Sequence, residues 1–433
     1  MSDVFRFVHA TNLRLDQPLT GAGALTVDER ALVEDATLTA FARIIDACIQ
    51  HQADCLLLTG DCFEFQSGTL RGRLQMQRGL ERLNEKGISA FILCGSLDPP
   101  SSWKRGMALP PNTTLFTADD DEPVDLMAEG RTIASIAPVA MATSDDSSWR
   151  EGPLKWRTPA GAFRIGLVGA GTPIRWDGAT PLPMTGPGIS PVAARLVQRA
   201  IEHGINYLAL GEGAERSTLH LSGGIAHDPG SPQGLNAGES GAKGCSLVEV
   251  NDRGQAEVKF IPTGGARWMS LAVDAPSTVD VDQLAERMAL VVMESETQAS
   301  DDLWLVRWTI RGTAGQWAST LADTRTQSTL WEKLERELSS IGGPRRRHSL
   351  DVIARPALER RIDREPGQRD LLEDFCEHID EDALEALEAF KAEMNSAEWS
   401  SRGWVRHVRQ ALARTTTSDV SRRARDLGES WLG

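Results

Sequence analysis

Acidic and amide side chains follow four apolar runs of this sequence, each at the point where a strand is predicted to end. They include Asn12, Asp61, Asp98 and Glu212. The loops that follow the carboxyl ends of strands build the functional site in α/β folds. Asn12 offers an amide oxygen, and Asp61 and Glu212 offer carboxylates. The sequence therefore predicts a functional site at this edge of a sheet.

The elements that would position these loops alternate along the first half of the chain. Apolar runs at residues 5–10, 55–59 and 88–94 predict buried strands, and residues 28–50 and 70–86 show helical spacing. Continuous apolar strands joined by helices indicate a sheet covered on both faces. Six short predicted strands between residues 131 and 261, with a helix at residues 191–203, indicate a second sheet packed on the first. We therefore expect a layered α/β sandwich.

The rest of the chain changes character. Residues 266–360 alternate three short strands with two helices and predict a smaller α+β domain, so residues 1–265 form the core domain. Residues 361–433 predict a helical tail. Its residues 370–393 hold ten acidic side chains and one Lys, whereas residues 397–433 hold seven Arg and four acidic side chains. This division suits a helical partner, although a solvated appendix that packs on its own chain is an alternative.

Composition excludes several classes of function. The chain has 433 residues and a formal net charge of −15, which disfavours binding nucleic acid over its whole surface. No run approaches the roughly 18 apolar residues that cross a bilayer, and the N-terminus lacks the pattern of a signal peptide. None of the six cysteines forms a C-x-x-C pair. We therefore expect a cytoplasmic protein with reduced thiols and no membrane partner.

The four strand-end loops resemble motifs of the calcineurin-like metallophosphoesterases. They read HATNLRLD from His9, GDCFE from Gly60, CGSLDP from Cys94 and ALGEGA from Ala209. More narrowly, they are similar to the SbcD-like DNA repair exonuclease branch, including the YhaO type, whose motifs are HAADLHLD, GDLFD, GNHDP, LLHG and ALGHIH or ALGDWH. The resemblance covers about the first 265 residues. It implies a layered α/β/β/α metallophosphoesterase sandwich, followed by a smaller α+β capping domain and a helical C-terminal tail.

The family holds two divalent metals, commonly manganese, and the resemblance allows its ligand positions to be compared with this chain. Asn12 stands at the first Asp, Arg14 at the first-loop His, and Asp61 is retained. The family's Asn ligand and catalytic His correspond to Ser96 and Leu97, whereas Asp98, although kept, is not usually a ligand. The remaining His positions hold Gly169, Glu212 and Ala214.

These replacements predict a degenerate site. Arg14 places a fixed cation where a dication would lie, because Arg does not deprotonate in proteins. Leu97 cannot transfer a proton, so general acid catalysis at this position is lost. The resemblance therefore implies a pseudo-metallophosphoesterase with no catalytic residues and no cofactor, in which Asp61 is the one residual metal candidate. It would be the nuclease-like subunit of a DNA repair or DNA-processing complex with an SMC-like ATPase.

Several alternatives remain open from the sequence. The chain is alternatively an active metal-dependent DNA exonuclease or phosphodiesterase with replaced or partner-supplied ligands. His220 and His227 could rebuild an unusual site with Asp61, whereas a structural role is favoured for His9. Ser96 and Ser231 lack a plausible set of His and Asp partners in the same loops, so a serine hydrolase is disfavoured. A homodimer and contact with DNA through the complex are both compatible with the resemblance.

Two local expectations concern charged side chains. We expect Arg14 to replace the lost metal charge by contacting Asp61, with Asp98 or Glu212 as the next candidates and solvent exposure as the alternative. The basic segment at residues 342–348 predicts a solvated loop, with a phosphate-binding patch as the alternative.

Overall fold

The first half of the chain alternates strands and helices, as expected. The computed structural model describes residues 5–64, 69–104, 107–117, 120, 122–139, 162–169, 197–198, 200–202, 204–211, 213–275, 279–311, 320–321, 323–339, 342–351 and 387–392, with residues 412, 417, 420 and 421. The early elements are β1 (Phe5–Ala10), α1 (Val27–Glu34), α2 (Ala36–Gln50), β2 (Cys55–Thr59), α3 (Leu70–Glu85), β3 (Ser89–Leu93), α4 (Pro100–Lys104) and β4 (Thr113–Phe116). The single helix predicted at residues 28–50 is two helices, because Asp35 ends α1 and caps α2.

These strands and two later ones form a first six-stranded sheet. The later strands are β11 (Gly244–Val250) and β12 (Ala256–Pro262), and the order is β12-β11-β1-β2-β3-β4. Strands β1 to β4 are parallel, whereas β11 and β12 pair antiparallel. The carboxyl ends of β1, β2 and β3 therefore lie side by side at one edge, where the candidate loops begin.

A second six-stranded sheet follows the order β5-β6-β7-β8-β10-β9. Its strands are β5 (Val124–Ala128), β6 (Arg131–Pro138), β7 (Phe163–Gly169), β8 (Tyr207–Gly211), β9 (Ser217–Leu221) and β10 (Gly224–Asp228). The four central strands are parallel, and the edge strands β5 and β9 are antiparallel to their neighbours.

The two sheets pack face to face, and helices cover the outer face of the first. In β2, Cys55 and Leu57 join a buried cluster that includes Ile165 and Tyr207 of the second sheet. The alternate residues Leu56 and Leu58 face α2 and α3 in a separate cluster. This two-sided burial explains the continuous apolar runs of the sequence. The predicted layered α/β fold is confirmed.

The chain divides into two compact units. The first contains residues 1–270, 297–306 and 343–347, and the second contains residues 271–296, 307–342 and 348–433. The α+β segment contains β13 (Ala266–Asp274), α5 (Val281–Met293), β14 (Leu303–Arg311), α6 (Thr324–Leu338) and β15 (Arg345–Asp351), with the sheet order β13-β14-β15. Within the second unit, Lys333 of α6 forms an ion pair with Asp282 of α5.

The basic segment at residues 342–348 is a loop only as far as residue 344, so the expected loop was wrong from Arg345 onward. Its residues from Arg345 onward form β15, and within the first unit Arg345 and Arg347 pair with Asp28 and Glu29 at 3.4 and 2.8 Å. These carboxylates also argue against the alternative of a phosphate-binding patch.

The predicted tail lies mostly outside the described residues. Within the tail, residues 387–392 are described and are helical. No helix within the described ranges is long and apolar enough to cross a membrane.

Candidate functional site at the strand ends

The loops that follow β1 and β2 continue side by side beyond the ends of the two strands. The backbone N–H groups of Asn12, Arg14 and Leu15 donate to the carbonyls of Gly60, Asp61 and Cys62 at 3.2, 3.0 and 2.8 Å. The first two candidate motifs are therefore joined by their backbones, and their side chains project from a fixed frame.

This frame is strained. Asn12, Arg14, Asp16 and Asp61 all have positive φ, between 44° and 63°, where residues with a Cβ are disfavoured. Such conformations cost on the order of 1–3 kcal/mol each and persist only where surrounding contacts determine them. Four strained residues in two adjoining loops mark this edge as a shaped site rather than ordinary connections.

Asp98 is the centre of the backbone network. Its carboxylate accepts hydrogen bonds from the N–H groups of Asp61 at 3.0 Å, Cys62 at 3.2 Å and Gly95 at 2.8 Å. The side chain is fully buried. Gly95 has to lack a side chain, because a Cβ there would lie 2.3 Å from the nitrogen of Asp61. Asp98 thus ties the loop after β3 to the loop after β2.

The carboxylate of Asp61 accepts hydrogen bonds from the loop after β3. Its Oδ1 accepts a 2.9 Å hydrogen bond from the N–H of Leu97 and a 3.3 Å hydrogen bond from Ser96 Oγ. Burial raises the pKa of Asp61. Burial, and then the charge of Asp61, raise the pKa of Asp98 to about 7. The two carboxylates lie close enough to repel each other.

Arg14 does not make the contact expected of it. Its Nη1 and Nη2 donate to the two carboxylate oxygens of Glu239 at 3.0 and 2.6 Å, and Nη2 also donates to Ser231 Oγ at 2.9 Å. The expected side-chain contact with Asp61 is therefore wrong, and so is the alternative of exposure, since the side chain is only 16% exposed. The charge of Arg14 still lowers the pKa of Asp61 as a minor cause.

Asn12 and the loop after β8 form a second group. Asn12 Nδ2 donates to the carbonyl of Gly213 at 2.9 Å, and the N–H of Gly213 donates to Asp228 at 2.7 Å. The carbonyl of Ala214 accepts hydrogen bonds from Lys243 Nζ and from the N–H of Ser231. Gly169 pairs with Gly211 in the second sheet. Glu212 lies outside the described residues.

The buried histidines link the two sheets. The ring nitrogens of His9 lie 3.0 Å from Tyr207 Oη and 3.0 Å from Thr59 Oγ1. Those of His227 lie 2.8 Å from Ser246 Oγ and 2.8 Å from Thr218 Oγ1. His9 thus has the structural surroundings expected of it.

The electrostatics of the two histidines follow from their burial. Burial and the neighbouring His227 lower the pKa of His9, and burial and the charge of Arg216 lower the pKa of His227 to about 3. The alternative site of His220, His227 and Asp61 is not formed, because His227 is committed to hydroxyl groups between the sheets and His220 is exposed.

The described residues at this edge do not fit a pair of divalent cations. Within the ranges that the structure describes, no group of three His, Cys, Asp or Glu side chains could hold a metal ion. The carboxylates of Asp61 and Asp98 accept hydrogen bonds from the chain itself. Leu97 and Ala214 have no donor side chain.

Sequence reasoning missed Glu239. It lies in a short 3₁₀ helix, Ala237–Glu239, and is 225 residues from Arg14 along the chain. No motif marks it. The only available signal was the Gly-Ser-Pro turn at residues 230–232, which lies shortly before it and whose Ser231 joins the same cluster.

Comparison with known proteins supports the resemblance to metallophosphoesterases in general. No family model matches the chain. The uncharacterized metallophosphoesterase YhaO of Bacillus subtilis is 27% identical to it over 315 residues, which are 72% of this chain and 72% of that protein. This similarity supports a metallophosphoesterase-type function.

Two solved structures are also similar. TT1561 of Thermus thermophilus has a TM-score of 0.34 and 15% identity, covering 59% of this chain and 99% of its own. A dimetal phosphatase from Danio rerio has a TM-score of 0.33 and 8% identity, covering 59% and 98%. At these TM-scores neither likeness bears on function.

Proposed function

We propose that this chain, which is similar to a metallophosphoesterase, is a catalytically degenerate member of the SbcD-like branch. It serves as the nuclease-like subunit of a DNA repair or DNA-processing complex with an SMC-like ATPase. The observation that carries the proposal is that the carboxylates of the site are bonded to the protein's own backbone. Asp61 and Asp98 accept hydrogen bonds from backbone N–H groups of the loops after β2 and β3, and the first motif carries the guanidinium of Arg14.

The chemistry of the site agrees with this proposal. A two-metal phosphodiesterase polarises the phosphate and activates a water molecule between its ions. Among the described residues, Asp61 is not part of any group of three His, Cys, Asp or Glu side chains that could hold a metal ion. Leu97, which stands at the family's catalytic His, contributes only its backbone N–H, which donates to Asp61. The side chain of Leu97 itself cannot protonate a leaving group.

Metal content tests the proposal directly. The purified chain is incubated with excess Mn²⁺, desalted and analysed for bound metal, and its activity on linear DNA is measured. We expect far less than one Mn²⁺ per chain, and we expect Asp61→Ala to leave both the metal content and the background DNA cleavage unchanged. Two tightly bound ions, with cleavage abolished by Asp61→Ala, would contradict the proposal.

That contrary result would establish the second candidate function, an active metal-dependent exonuclease or phosphodiesterase with replaced or partner-supplied ligands. The retention of Asp61 in a strained loop is the observation that favours it, because strained backbone clusters at active sites. Repeating the assay with the partner subunit present separates a ligand supplied in trans from one supplied by this chain.

The partners are part of the proposal. The helical tail would bind the SMC-like ATPase, DNA would be held through the complex, and the core would pair as a homodimer. The net charge of −15 disfavours DNA binding over the whole surface of this chain. A cytoplasmic location agrees with the five described cysteines, which are all free thiols. Identifying the protein that co-purifies with the tagged full chain tests the partnership.

A further inference from the structure

We infer that Arg14, Glu239 and Ser231 form an internal clamp that holds two loops of the degenerate site together without a metal ion. The first loop follows β1 and contains residues 11–16, and the second contains residues 229–239. This inference rests on the proposed function, because a guanidinium can replace a bridging cation only in a site that holds no metal.

The geometry of the clamp is that of a strong ion pair. Two nitrogens of Arg14 meet two oxygens of Glu239 at 3.0 and 2.6 Å, and Ser231 accepts a further hydrogen bond at 2.9 Å. Planar, two-point pairing of this kind is both stronger and more specific than a single contact. A Lys at position 14 has no fork and cannot reproduce it.

The ion pair between Arg14 and Glu239 is shielded from solvent. The side chains of Arg14 and Glu239 are only 16% and 8% exposed. Burial alone would raise the pKa of Glu239, but hydrogen bonds and charge from Arg14, with the N–H of Leu235, lower it below its usual value. Glu239 is therefore an ionised carboxylate in a buried place, where it requires a cation. Arg14 supplies that cation.

The clamp connects loops that have little regular structure of their own. Arg14 has a positive φ of 44°, and its backbone N–H is bonded to Asp61. The opposite loop reaches further elements, because the N–H of Ser231 donates to Ala214 and the carbonyl of Leu235 accepts from Thr20. Fixing Arg14 to Glu239 therefore determines the position of both loops at the candidate site.

Hydrogen–deuterium exchange of the full chain in EDTA tests the clamp. We expect slow exchange of residues 229–239 in the unmodified chain. Arg14→Ala should raise it at least tenfold, Arg14→Lys should raise it by an intermediate amount, and Glu239→Gln should have an effect close to that of Arg14→Ala. The double variant Arg14→Ala/Glu239→Gln should exchange no faster than the faster-exchanging of its two single variants, because the two residues act as one unit.

A matched control is Arg71 of α3, whose partner Asp16 lies in the same loop as Arg14. Arg71 pairs with Asp16 through a side chain that is 51% exposed, so Arg71→Ala should leave exchange of residues 229–239 unchanged. If Arg14→Ala does not fold, Glu239→Gln and Arg14→Lys decide the question.

Unchanged exchange in these variants, or an equal rise in Arg71→Ala, would overturn the clamp. Neither result alters the metal content on which the proposed function depends. Conversely, stoichiometric Mn²⁺ in the unmodified chain would overturn the proposed function while the exchange of the variants still reports on the clamp.

Discussion

At the scale of single residues, the backbone of the candidate site depends on Asp98, a side chain that the resemblance does not place among the metal ligands. Asp98 accepts three backbone N–H groups from two loops although it is not usually a metal ligand in the family that the motifs resemble. It accordingly holds the shape of the site whether or not the site is active. This separation explains how the framework persists while the side chains around it change.

Replacing Asp98 tests that role. In Asp98→Asn the amide oxygen can keep the two N–H contacts that one carboxylate oxygen now accepts, from Asp61 and Gly95. The amide NH₂ would then face a third donor, the N–H of Cys62. A buried donor without an acceptor costs about 1–3 kcal/mol, so we expect the free energy of unfolding to fall by about 2 kcal/mol in urea denaturation at pH 8. Ser96→Ala, in the same loop, should change it by less than about 0.5 kcal/mol, as exposed substitutions do. Equal stability of Asp98→Asn and the unmodified chain would contradict this account.

At the scale of the elements, two buried histidines connect the sheets. His9 belongs to β1 of the first sheet and contacts Tyr207 of the second, and His227 of β10 contacts Ser246 of β11. Both are fully buried. A charge on either ring would have to form without water, so the folded state keeps both neutral and makes the packing of the sheets sensitive to acid.

The pH dependence of stability follows from the pKa of His227, which folding lowers from 6.5 to about 3. Between these values the unfolded chain binds a proton that the folded chain does not, so stability is present above pH 6.5 and is lost as pH falls towards 3. For each such group the slope approaches about 1.4 kcal/mol per pH unit. Urea denaturation between pH 7 and pH 4.5 should show it.

A variant isolates this effect from the other titrating groups. His227→Asn should be less stable at pH 7 but should lose stability less steeply as the pH falls, by about 1 kcal/mol per pH unit. Parallel curves for the variant and the unmodified chain would show that His227 does not carry the acid sensitivity. The raised pKa of Asp98 acts in the opposite direction, since its stabilisation is lost as pH rises through about 7.

At the scale of the whole molecule, the partner-binding function is predicted to reside in the C-terminal tail. This prediction follows from the charge division between residues 370–393 and 397–433. The division of the chain into residues 1–265, 266–360 and 361–433 stays a prediction in the same way.

Removal of residues 370–433 tests the tail. We expect the shortened chain to keep its circular dichroism spectrum and a cooperative thermal transition, because the described residues that form the cores of the two six-stranded sheets all precede position 262. We also expect it to lose co-purification of the partner protein. Aggregation of the shortened chain would show that the tail instead covers the chain's own apolar surface.

The sequence alone determined the α/β alternation, the stacked sheets and the edge at which the candidate loops meet. These follow from local patterns, since a strand buried on both faces needs an uninterrupted apolar run such as that of Cys55–Thr59. The break of the long predicted helix at Asp35 was missed. The last strand was predicted to begin at residue 349, whereas it begins at Arg345, because the basic side chains at its start do not form an apolar run.

Only the tertiary structure decided which charges meet. The sequence placed Arg14 near Asp61, and their backbones do bond, but the side chain reaches Glu239 instead. Both carboxylates are buried. Asp61 accepts hydrogen bonds from Leu97 and Ser96, whereas both oxygens of Glu239 accept from the guanidinium of Arg14. A contact between residues 225 positions apart leaves no periodic trace in the sequence. It is determined by the folded positions of the loops and by the cost of burying an unpaired charge.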